Sequence, residues 1–399
     1  MSILVNIAIL SIATIHCLYV VYYWLKTERD IVSNDEGFDP STGVILCLRG
    51  AEPQVEGCLT GLSSQTRDFQ LYCVFDNEMD PAVSIVKSHA ENFQNQPILL
   101  FADDISDQRS LKCNSLLHAL EEVDQTLEVL AFIDADVCPD PNWLADLVGP
   151  LVNKSIAITT GNRWYANDQA DLGNSVRQCW NAAAVVQMMI YQIAWGGSWA
   201  GTTDAIRQSG LAEHLKTAFC EDTALNRIFD KRQVYRVNSL VTLNDESAPL
   251  QETMGFITRQ LLTVRMYHRA WPLVLGHGVL VFLVNAIALA AFLLCIVFGE
   301  TSAARQIFAA VCYLQVVNLF SLYFVARKNE TILENRGIRV GSILQRPFGF
   351  FLGALVAQFV HPYCAIKAAF LSRTRWAGVD YDVTGNTIKL LNYHPSRAA

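Results

Sequence analysis

Residues 129–136 read VLAFIDAD, an apolar run that leads directly into Asp134 and Asp136 on either side of one alanine. A short aliphatic and aromatic run of this kind predicts a buried strand, and a charged pair at its end needs a partner. Two such carboxylates can hold a hard divalent cation, Mg²⁺ or Mn²⁺, whose remaining coordination positions accept phosphate oxygens. Short acidic pairs are also common as turn or cap residues, so this stretch alone leaves both interpretations open.

The chain around this stretch alternates short β-branched runs with helical ones. Strands are predicted at residues 44–48, 71–75, 98–101, 129–133 and 156–160, and helices at residues 54–64, 82–93, 111–123 and 143–152. This alternation predicts an α/β fold with a mostly parallel sheet that is covered on both faces. In such sheets ligands bind beyond the carboxyl ends of the strands.

Charged residues follow the predicted strands at those ends. In chain order they are Arg49 and Glu52, Asp76, Asp103 and Asp104, and Asp134 and Asp136. The chain has neither a G-x-G-x-x-G sequence nor a G-x-x-x-x-G-K-[ST] loop, so neither a dinucleotide-binding fold nor an ATPase is supported. A site at this edge of the sheet is therefore built from carboxylates and not from a glycine-rich phosphate loop.

Two later sequences add candidate residues, WGGS at residues 195–198 and CED at residues 220–222. Glycines such as Gly197 let a backbone approach a ligand closely. Glu221 and Asp222 precede a predicted helical segment at residues 223–229, so they are interpreted either as helix N-terminal residues or as a site. In the second interpretation one carboxylate is a general base that deprotonates an acceptor hydroxyl.

The composition indicates a membrane protein of more than one unit. Of the 399 residues 52% are hydrophobic and only 17% are charged, and the mean hydropathy is +0.24. The formal net charge of −8 argues against nucleic acid as a partner. The eleven cysteines are scattered without a C-x-x-C pair, as expected for thiols in a reducing compartment.

Four apolar segments are candidates for membrane helices. Residues 3–24 predict an anchor whose N-terminus lies outside, because Lys26 and Arg29 follow it. Residues 273–299 and 306–326 predict a transmembrane hairpin. Residues 348–371 are consistent either with a full span or with a re-entrant pair of half-helices broken at Pro362.

These segments divide the chain into an anchor, a catalytic domain on the cytoplasmic side, and a C-terminal membrane part. The predicted ranges are 1–26 for the anchor, 34–245 for the catalytic domain, 250–272 for an interfacial amphipathic helix, 273–326 for the hairpin, 345–372 for the third C-terminal membrane segment, and 373–399 for a basic, aromatic tail. The tail, which contains the sequence RTRW at residues 373–376, either folds back on the catalytic domain or anchors at the membrane interface.

The order of these sequences resembles the membrane-bound glycosyltransferase family 2 enzymes with the GT-A fold. The resemblance rests on the anchor, Arg49-Gly-x-Glu-Pro53, Asp76, the D-x-D sequence at residues 134–136, WGGS at residues 195–198 and the E-D pair at residues 221–222. Residues 132–136, 160–165 and 259–262 are most similar to the ceramide glucosyltransferase-like branch. The resemblance covers residues 44–267 and implies a nucleotide-sugar donor, with a UDP-sugar as the expected one.

The resemblance also implies roles for individual residues. Arg49, Glu52 and Gly197 would line the nucleotide-sugar pocket, Asp76 and Lys112 would contact the nucleoside, and Asp134 and Asp136 would serve the ribose, the diphosphate and the metal. Asp222, next to Glu221, matches the catalytic base for direct displacement at the anomeric carbon, which predicts inversion of configuration.

One departure concerns the Q-x-x-R-W or R-x-x-R-W motif of the family, whose arginine and tryptophan close over the diphosphate and acceptor. Its last two positions fall here on Leu262-Thr263 or on Thr263-Val264. The residues expected on the acceptor and diphosphate side are Trp195, Arg259, Gln260 and Arg265. Arg259 and Arg265 are six positions apart on a helix, so we expect at most one to face the site. The alternative is that these arginines, with Arg269, meet lipid headgroups from an interfacial helix.

The function these observations favour is an inverting, metal-dependent glycosyltransferase that moves a sugar to a lipid hydroxyl at the cytoplasmic face. A processive polysaccharide synthase is a second hypothesis, weakened by the missing arginine and tryptophan and by the few predicted spans. A catalytically silent protein that binds a nucleotide sugar is a third.

Overall fold

The computed structural model of the protein describes residues 2–28 and 37–396. Four parts of the predictions therefore lie outside the described residues: Met1 at the start of the anchor, Arg29 in its basic flank, residues 34–36 at the start of the predicted catalytic domain, and residues 397–399 at the end of the tail.

The predicted catalytic domain contains a sheet of seven strands within the described residues. The strands are β1 (Thr42–Cys47), β2 (Gln70–Phe75), β3 (Ile98–Phe101), β4 (Val129–Asp134), β5 (Ile158–Tyr165), β6 (Ser198–Thr202) and β7 (Val234–Asn244). Their order is β3-β2-β1-β4-β6-β5-β7. Neighbouring strands pair in parallel except around β6, which is antiparallel to both β4 and β5. The predicted α/β fold with a mostly parallel sheet is confirmed.

Helices cover the two faces of this sheet. They are α2 (Val55–Ser63), α3 (Pro81–His89), α4 (Leu111–Glu122), α5 (Trp143–Val148), α6 (Leu172–Tyr191), α7 (Thr203–Gln208), α8 (Leu211–Leu215) and α9 (Leu225–Ile228). Residues of β1 alternate between the faces: Val44 and Leu46 belong to one apolar core, and Ile45 belongs to the other. Ser110 caps α4 by accepting a hydrogen bond from the Cys113 N–H, which places Lys112 in the first turn of the helix.

Four helices are long and apolar enough to cross a bilayer, α1 (Ser2–Glu28), α11 (Trp271–Val297), α12 (Thr301–Asn335) and α13 (Pro347–Phe370). The hairpin turn is tighter than predicted, because α12 begins at Thr301 and not after the polar stretch at residues 300–305. The last segment is one helix of 24 residues with Pro362 inside it, not two half-helices. At 1.5 Å per residue it is about 36 Å long, which exceeds the hydrocarbon thickness.

The remaining elements connect the membrane part with the catalytic domain. Helix α10 (Leu250–Tyr267) packs against α6 and α13. A second sheet of three antiparallel strands, β8 (Arg373–Trp376), β9 (Val379–Asp382) and β10 (Lys389–Asn392), follows α13. It folds back on the catalytic domain: the Tyr381 hydroxyl accepts a hydrogen bond from the Leu111 N–H, and the Leu390 N–H donates to the Asp107 carbonyl.

Candidate active site

A polar cavity of about 1070 Å³ lies beyond the carboxyl ends of β1, β2 and β4. It brings together most of the residues that the sequence singled out, namely Arg49, Glu52, Asp76, Lys112, Asp134, Asp136, Trp195, Glu221, Asp222, Arg259 and Gln260. The acidic pair after the third strand does not take part: Asp103 and Asp104 are exposed and do not line the cavity, because β3 is the edge strand.

Lys112 joins two acidic residues from distant parts of the chain. Its Nζ lies 2.7 Å from Asp134 Oδ1 and 2.9 Å from Glu221 Oε1. Burial alone would lower the pKa of Lys112, but the attraction of Asp134 and Glu221 outweighs it and holds that pKa well above its usual range. The side chain is therefore an ammonium ion, and it ties the end of β4 to the segment that carries Asp222.

Glu221 is the most deeply buried carboxylate of the cavity, with 1% of its side chain exposed. Burial raises its pKa to about 7; the ammonium of Lys112 opposes this shift, and the neighbouring Asp222 adds to it. A group with this pKa exchanges its proton near neutral pH.

Asp136 has one carboxylate oxygen that is satisfied and one that is not. Oδ2 accepts a hydrogen bond from Asn244 Nδ2 at 3.0 Å and lies 3.7 Å from Arg163 Nη1. Oδ1 is buried and has no hydrogen-bond partner among the described residues. Burial and the repulsion of Asp134 raise the pKa of this carboxyl. A cation beside Oδ1 would remove the cost of leaving that oxygen unpaired.

Asp134 and Asp136 could supply two carboxylate ligands to a divalent metal ion, which is fewer than such an ion needs. Within residues 2–28 and 37–396, no group of three or more His, Cys, Asp or Glu side chains is placed to hold an ion by itself. The remaining ligands would come from water and from the phosphate oxygens of a bound molecule. The oxygen donors of this pair suit Mg²⁺ or Mn²⁺.

The two glycines at residues 196–197 make room for these carboxylates. A Cβ atom on Gly196 would lie 2.4 Å from Glu221 Oε1, and one on Gly197 would lie 2.6 Å from Asp134 Oδ2 and 2.2 Å from the Trp195 ring. Neither glycine has a positive φ, so the requirement is for space alone. Gly197 is thus a residue that permits the site to form, although it does not line the cavity.

Asp222 is held in place by backbone amides. Its Oδ2 accepts a hydrogen bond from the Gly196 N–H at 3.1 Å, and its Oδ1 accepts one from the Thr223 N–H at 2.6 Å. It begins the short 3₁₀ helix Asp222–Ala224, so the interpretation as a helix N-terminal residue is correct for the local structure. That interpretation does not exclude a site, because the same carboxylate also lines the cavity.

A second cavity, of about 240 Å³ and mostly apolar, meets the first at Asp222. It lies among α1, α6, α10, α11, α12 and α13, four of which are the candidate membrane helices. Its lining includes His16, Trp180, His277, Asn318 and His361. Trp195 and Gln260 line both cavities, so the junction contains two residues that were expected on the acceptor side.

Arg259 and Arg265 have different surroundings. Arg259 lines the polar cavity, where burial lowers the pKa of its guanidinium. Arg265 lines neither cavity; it donates hydrogen bonds to the Ala368 carbonyl at 2.7 Å and the Leu371 carbonyl at 2.9 Å. The expectation that Arg265 serves the diphosphate is wrong for this structure, because its donors satisfy the carbonyls at the end of α13.

Arg49 and Asp76, which were expected in the nucleotide pocket, form an ion pair at the cavity wall. Arg49 is paired with Asp76, of whose side chain only 3% is exposed, and Asn77 Nδ2 donates to Asp76 Oδ1 at 2.8 Å. Glu52 lies nearby at the cavity wall, where partial burial and then the repulsion of Asp136 raise its pKa to about 7.

The sequence profile of glycosyl transferase family 21 matches residues 7–388 of the chain. The protein belongs to this family. The matched range includes the catalytic domain, all four candidate membrane helices and most of the C-terminal sheet, and the protein is therefore a glycosyltransferase. No curated protein matches the chain.

Several solved structures resemble this glycosyltransferase in part. Glucosyl-3-phosphoglycerate synthase from Mycobacterium tuberculosis, in complex with Mn²⁺, UDP and glucosyl-3-phosphoglycerate, is 16% identical over 56% of this chain and 79% of that chain, with a TM-score of 0.38. A structure described as a mycobacterial protein is 15% identical over 56% and 74%, with a TM-score of 0.40. 4-Diphosphocytidyl-2C-methyl-D-erythritol synthase from Anaerococcus prevotii is 10% identical over 54% and 94%, with a TM-score of 0.34.

The cavity of the glycosyltransferase also contains residues that sequence reasoning missed. Arg163 lies over the rings of Tyr165 at 4.7 Å, Trp195 at 5.4 Å and Phe256 at 5.1 Å. A signal for it was present, because an arginine within the otherwise uncharged strand β5 needs a polar partner. Trp376 lines the cavity from β8, and no local pattern could place it there.

Proposed function

We propose that this glycosyltransferase moves one sugar from a nucleotide-sugar donor, a UDP-sugar, to the hydroxyl of a membrane lipid with inversion of configuration. The observation that carries the proposal is the position of Asp222, whose carboxylate lies where the polar cavity meets the apolar cavity between the membrane helices. A lipid in the apolar cavity and a donor in the polar cavity would then meet at a single base.

The polar cavity suits the donor. Its volume of about 1070 Å³ is of the size of small-molecule sites. The Arg49–Asp76 pair offers a donor and an acceptor for hydrogen bonds with a nucleoside. Asp134 and Asp136 would hold Mg²⁺ or Mn²⁺, which when bound supplies positive charge to the diphosphate leaving group.

Asp222 suits the role of the base. The two backbone N–H donors fix its carboxylate, so that it faces a substrate without reorganising. The lipid hydroxyl donates its proton to Asp222 as its oxygen attacks the anomeric carbon, and the bond from that carbon to the diphosphate breaks on the opposite face. The glycosidic bond that forms has the inverted configuration.

Lys112 and Glu221 would support this step electrostatically. Because Lys112 contacts both Asp134 and Glu221, its charge lies near the developing negative charge of the leaving group. Glu221, with its raised pKa, can accept or release a proton near neutral pH. We therefore propose that the protonation state of Glu221 sets the negative charge beside Asp222.

The basic ends of the membrane helices support a catalytic domain on the cytoplasmic side. Lys26 lies in the last turn of α1. Arg336, which ends α12, pairs with Asp140 at 2.8 Å and with Asp146 at 2.5 Å, both in the catalytic domain. Positive charge concentrated on the side of the catalytic domain is the pattern of cytoplasmic flanks.

The assay that tests the proposal uses the full chain in detergent with Mn²⁺, a panel of nucleotide sugars and a membrane lipid extract. We expect release of nucleoside diphosphate that depends on the extract and yields lipids carrying one added sugar. A ladder of longer products would favour polymer extension instead. Donor binding without any transfer would favour a catalytically silent binding protein. Release of nucleoside diphosphate at the same rate with and without the lipid extract would contradict a lipid acceptor.

A further inference from the structure

Arg259 is a half-buried cation without an anionic partner at ion-pair distance. Lys112, Arg49, Arg163 and Arg177, which line the same cavity, each lie within ion-pair distance of a carboxylate. Among the described residues no carboxylate lies within 4.0 Å of the Arg259 guanidinium, although burial is strong enough to lower its pKa. A half-buried charge of this kind is stabilised by a counter-ion, and Arg259 lines the cavity in which an anionic ligand would lie.

Two aromatic rings hold the Arg259 guanidinium. It lies 5.8 Å from the ring centre of Phe256 in α10 and 5.5 Å from that of Trp376 in β8. Trp376 is itself supported from behind by Phe219, with 5.2 Å between ring centres. An arginine stacked in this way keeps its N–H donors free for a ligand, since the ring faces attract the cation without using its hydrogen bonds.

The same C-terminal sheet also holds the arginine at the other end of the cavity. Arg49 Nε donates to the Ala377 carbonyl at 3.0 Å, and its Nη2 donates to the His394 carbonyl at 2.7 Å. Ala377 and Gly378 both have positive φ, so the tight turn between β8 and β9 aims the Ala377 carbonyl at Arg49. The ring of Tyr393 lies 5.7 Å from the Arg49 guanidinium.

We propose that the C-terminal sheet is a wall of the donor site, in which Trp376 is a positioning residue that orients Arg259 toward the diphosphate of a nucleoside diphosphate. The Ala377 and His394 carbonyls orient Arg49 at the nucleoside end in the same way. This inference rests on the proposed function, because it takes the polar cavity as the donor site. It adds a binding element that lies outside the catalytic domain in the sequence.

The test compares two probes, UDP and uridine, each with Mn²⁺, on the full chain in detergent. Affinity is obtained from the rise in melting temperature with ligand concentration. Trp376→Leu should weaken UDP binding about tenfold, the loss expected when a desolvated cation–π contact is removed. Uridine binding should not change, because uridine lacks the diphosphate. Trp376→Phe keeps a ring beside Arg259 and should retain most of the UDP affinity.

Leu391→Ala is the matched control. Leu391 lies on β10 of the same sheet, is 38% exposed and lines neither cavity, so its truncation should leave both affinities unchanged. Arg259→Gln is a second variant that leaves the packing of the sheet intact. It should lose UDP affinity to the same degree, and adding Trp376→Leu to it should cause little further loss.

The outcomes separate this inference from the function on which it rests. If the wild type binds UDP while Trp376→Leu and Arg259→Gln bind it equally well, the inference is overturned and the proposed function stands. Equal losses of UDP and uridine affinity, or additive losses in the double variant, would also overturn it, because Trp376 would then act on the fold and not through Arg259. If the wild type does not bind UDP in the presence of Mn²⁺, the proposed UDP-sugar donor and the inference that rests on it both fail.

Discussion

Lys112 Nζ lies 2.7 Å from Asp134 Oδ1, and this ion pair connects the first turn of α4 to the end of β4. The same ammonium lies 2.9 Å from Glu221 Oε1 and so reaches the segment that carries Asp222. Three stretches of chain that are distant in sequence thus meet at one cation. The acidic residues can approach one another because Lys112 offsets their mutual repulsion.

Replacing Lys112 with methionine should therefore destabilise the protein. The change leaves Glu221 buried without its counter-charge, which costs about 3 kcal/mol of unfolding free energy when one partner of a buried pair is removed. Thermal unfolding in detergent measures the loss. Lys216→Met is the control, since its 2.6 Å pair with Glu213 is exposed on both sides; its effect should stay below about 1 kcal/mol. Equal effects of the two changes would contradict this account of Lys112.

A methyl group on Gly197 should disrupt the site. Its Cβ would lie 2.6 Å from Asp134 Oδ2 and 2.2 Å from the Trp195 ring. Because a displacement of about 1 Å at reacting groups can cost about 100-fold in rate, Gly197→Ala should lower the transfer rate by that order. Gly276→Ala in α11 is the control, since a Cβ there has no atom within 4 Å. Normal transfer by Gly197→Ala would show that the close approach is not required.

The buried Glu221 should make stability depend on pH. The pKa of its carboxyl is near 4.5 in the unfolded chain but about 7 in the folded protein, so between these values the folded state holds the extra proton. Raising the pH removes that proton, and the unfolding free energy should fall through this window by up to about 1.4 kcal/mol per pH unit. Glu221→Gln should flatten the slope, as followed by unfolding between pH 4.5 and pH 8. An unchanged slope would mean that other groups cause it.

Removing the proposed metal, or its proposed ligand Asp136, should lower the rate of transfer. A bound divalent cation is worth several kcal/mol to a departing diphosphate, so chelator or Asp136→Asn should lower the rate at least about 100-fold. Added Mn²⁺ should restore the wild type after chelation but not the variant. Asp245→Asn, at an exposed carboxylate that does not line the cavity, is the control and should keep its activity. Full activity in the presence of chelator would show that transfer does not require a metal ion.

The sequence predicted the first half of the catalytic domain well, because its signals are local. Strands β1 to β5 and helices α2 to α5 follow from short apolar periodicities, and the acidic residues after β2 and β4 lie where strand ends meet. Strands β6 and β7 were not predicted. Strand β6 has the sequence SWAGT, which contains a glycine and no aliphatic run, so its pairing with β4 and β5 is needed to recognise it as a strand. The two glycines at residues 196–197, directly before β6, are typical of a loop.

Other features of the site that the sequence did not predict also depend on contacts between residues far apart in the chain. Whether Arg259 or Arg265 faces the cavity depends on the carbonyls at the end of α13, which no helical periodicity reveals. Trp376 reaches the same cavity only because the C-terminal sheet folds back. Pro362 suggested a broken helix, yet α13 continues through it, as neighbouring helices allow in membrane proteins.

The most direct test of the account is the Asp222→Asn variant, assayed for both donor binding and transfer. Because asparagine keeps the size of the side chain but cannot take the proton, we expect UDP binding in Mn²⁺ to be unchanged and lipid-dependent release of nucleoside diphosphate to fall by at least about 100-fold. If Asp222→Asn transferred sugar at the rate of the wild type, Asp222 would not be the base at the junction of the two cavities, and the proposed mechanism would be wrong.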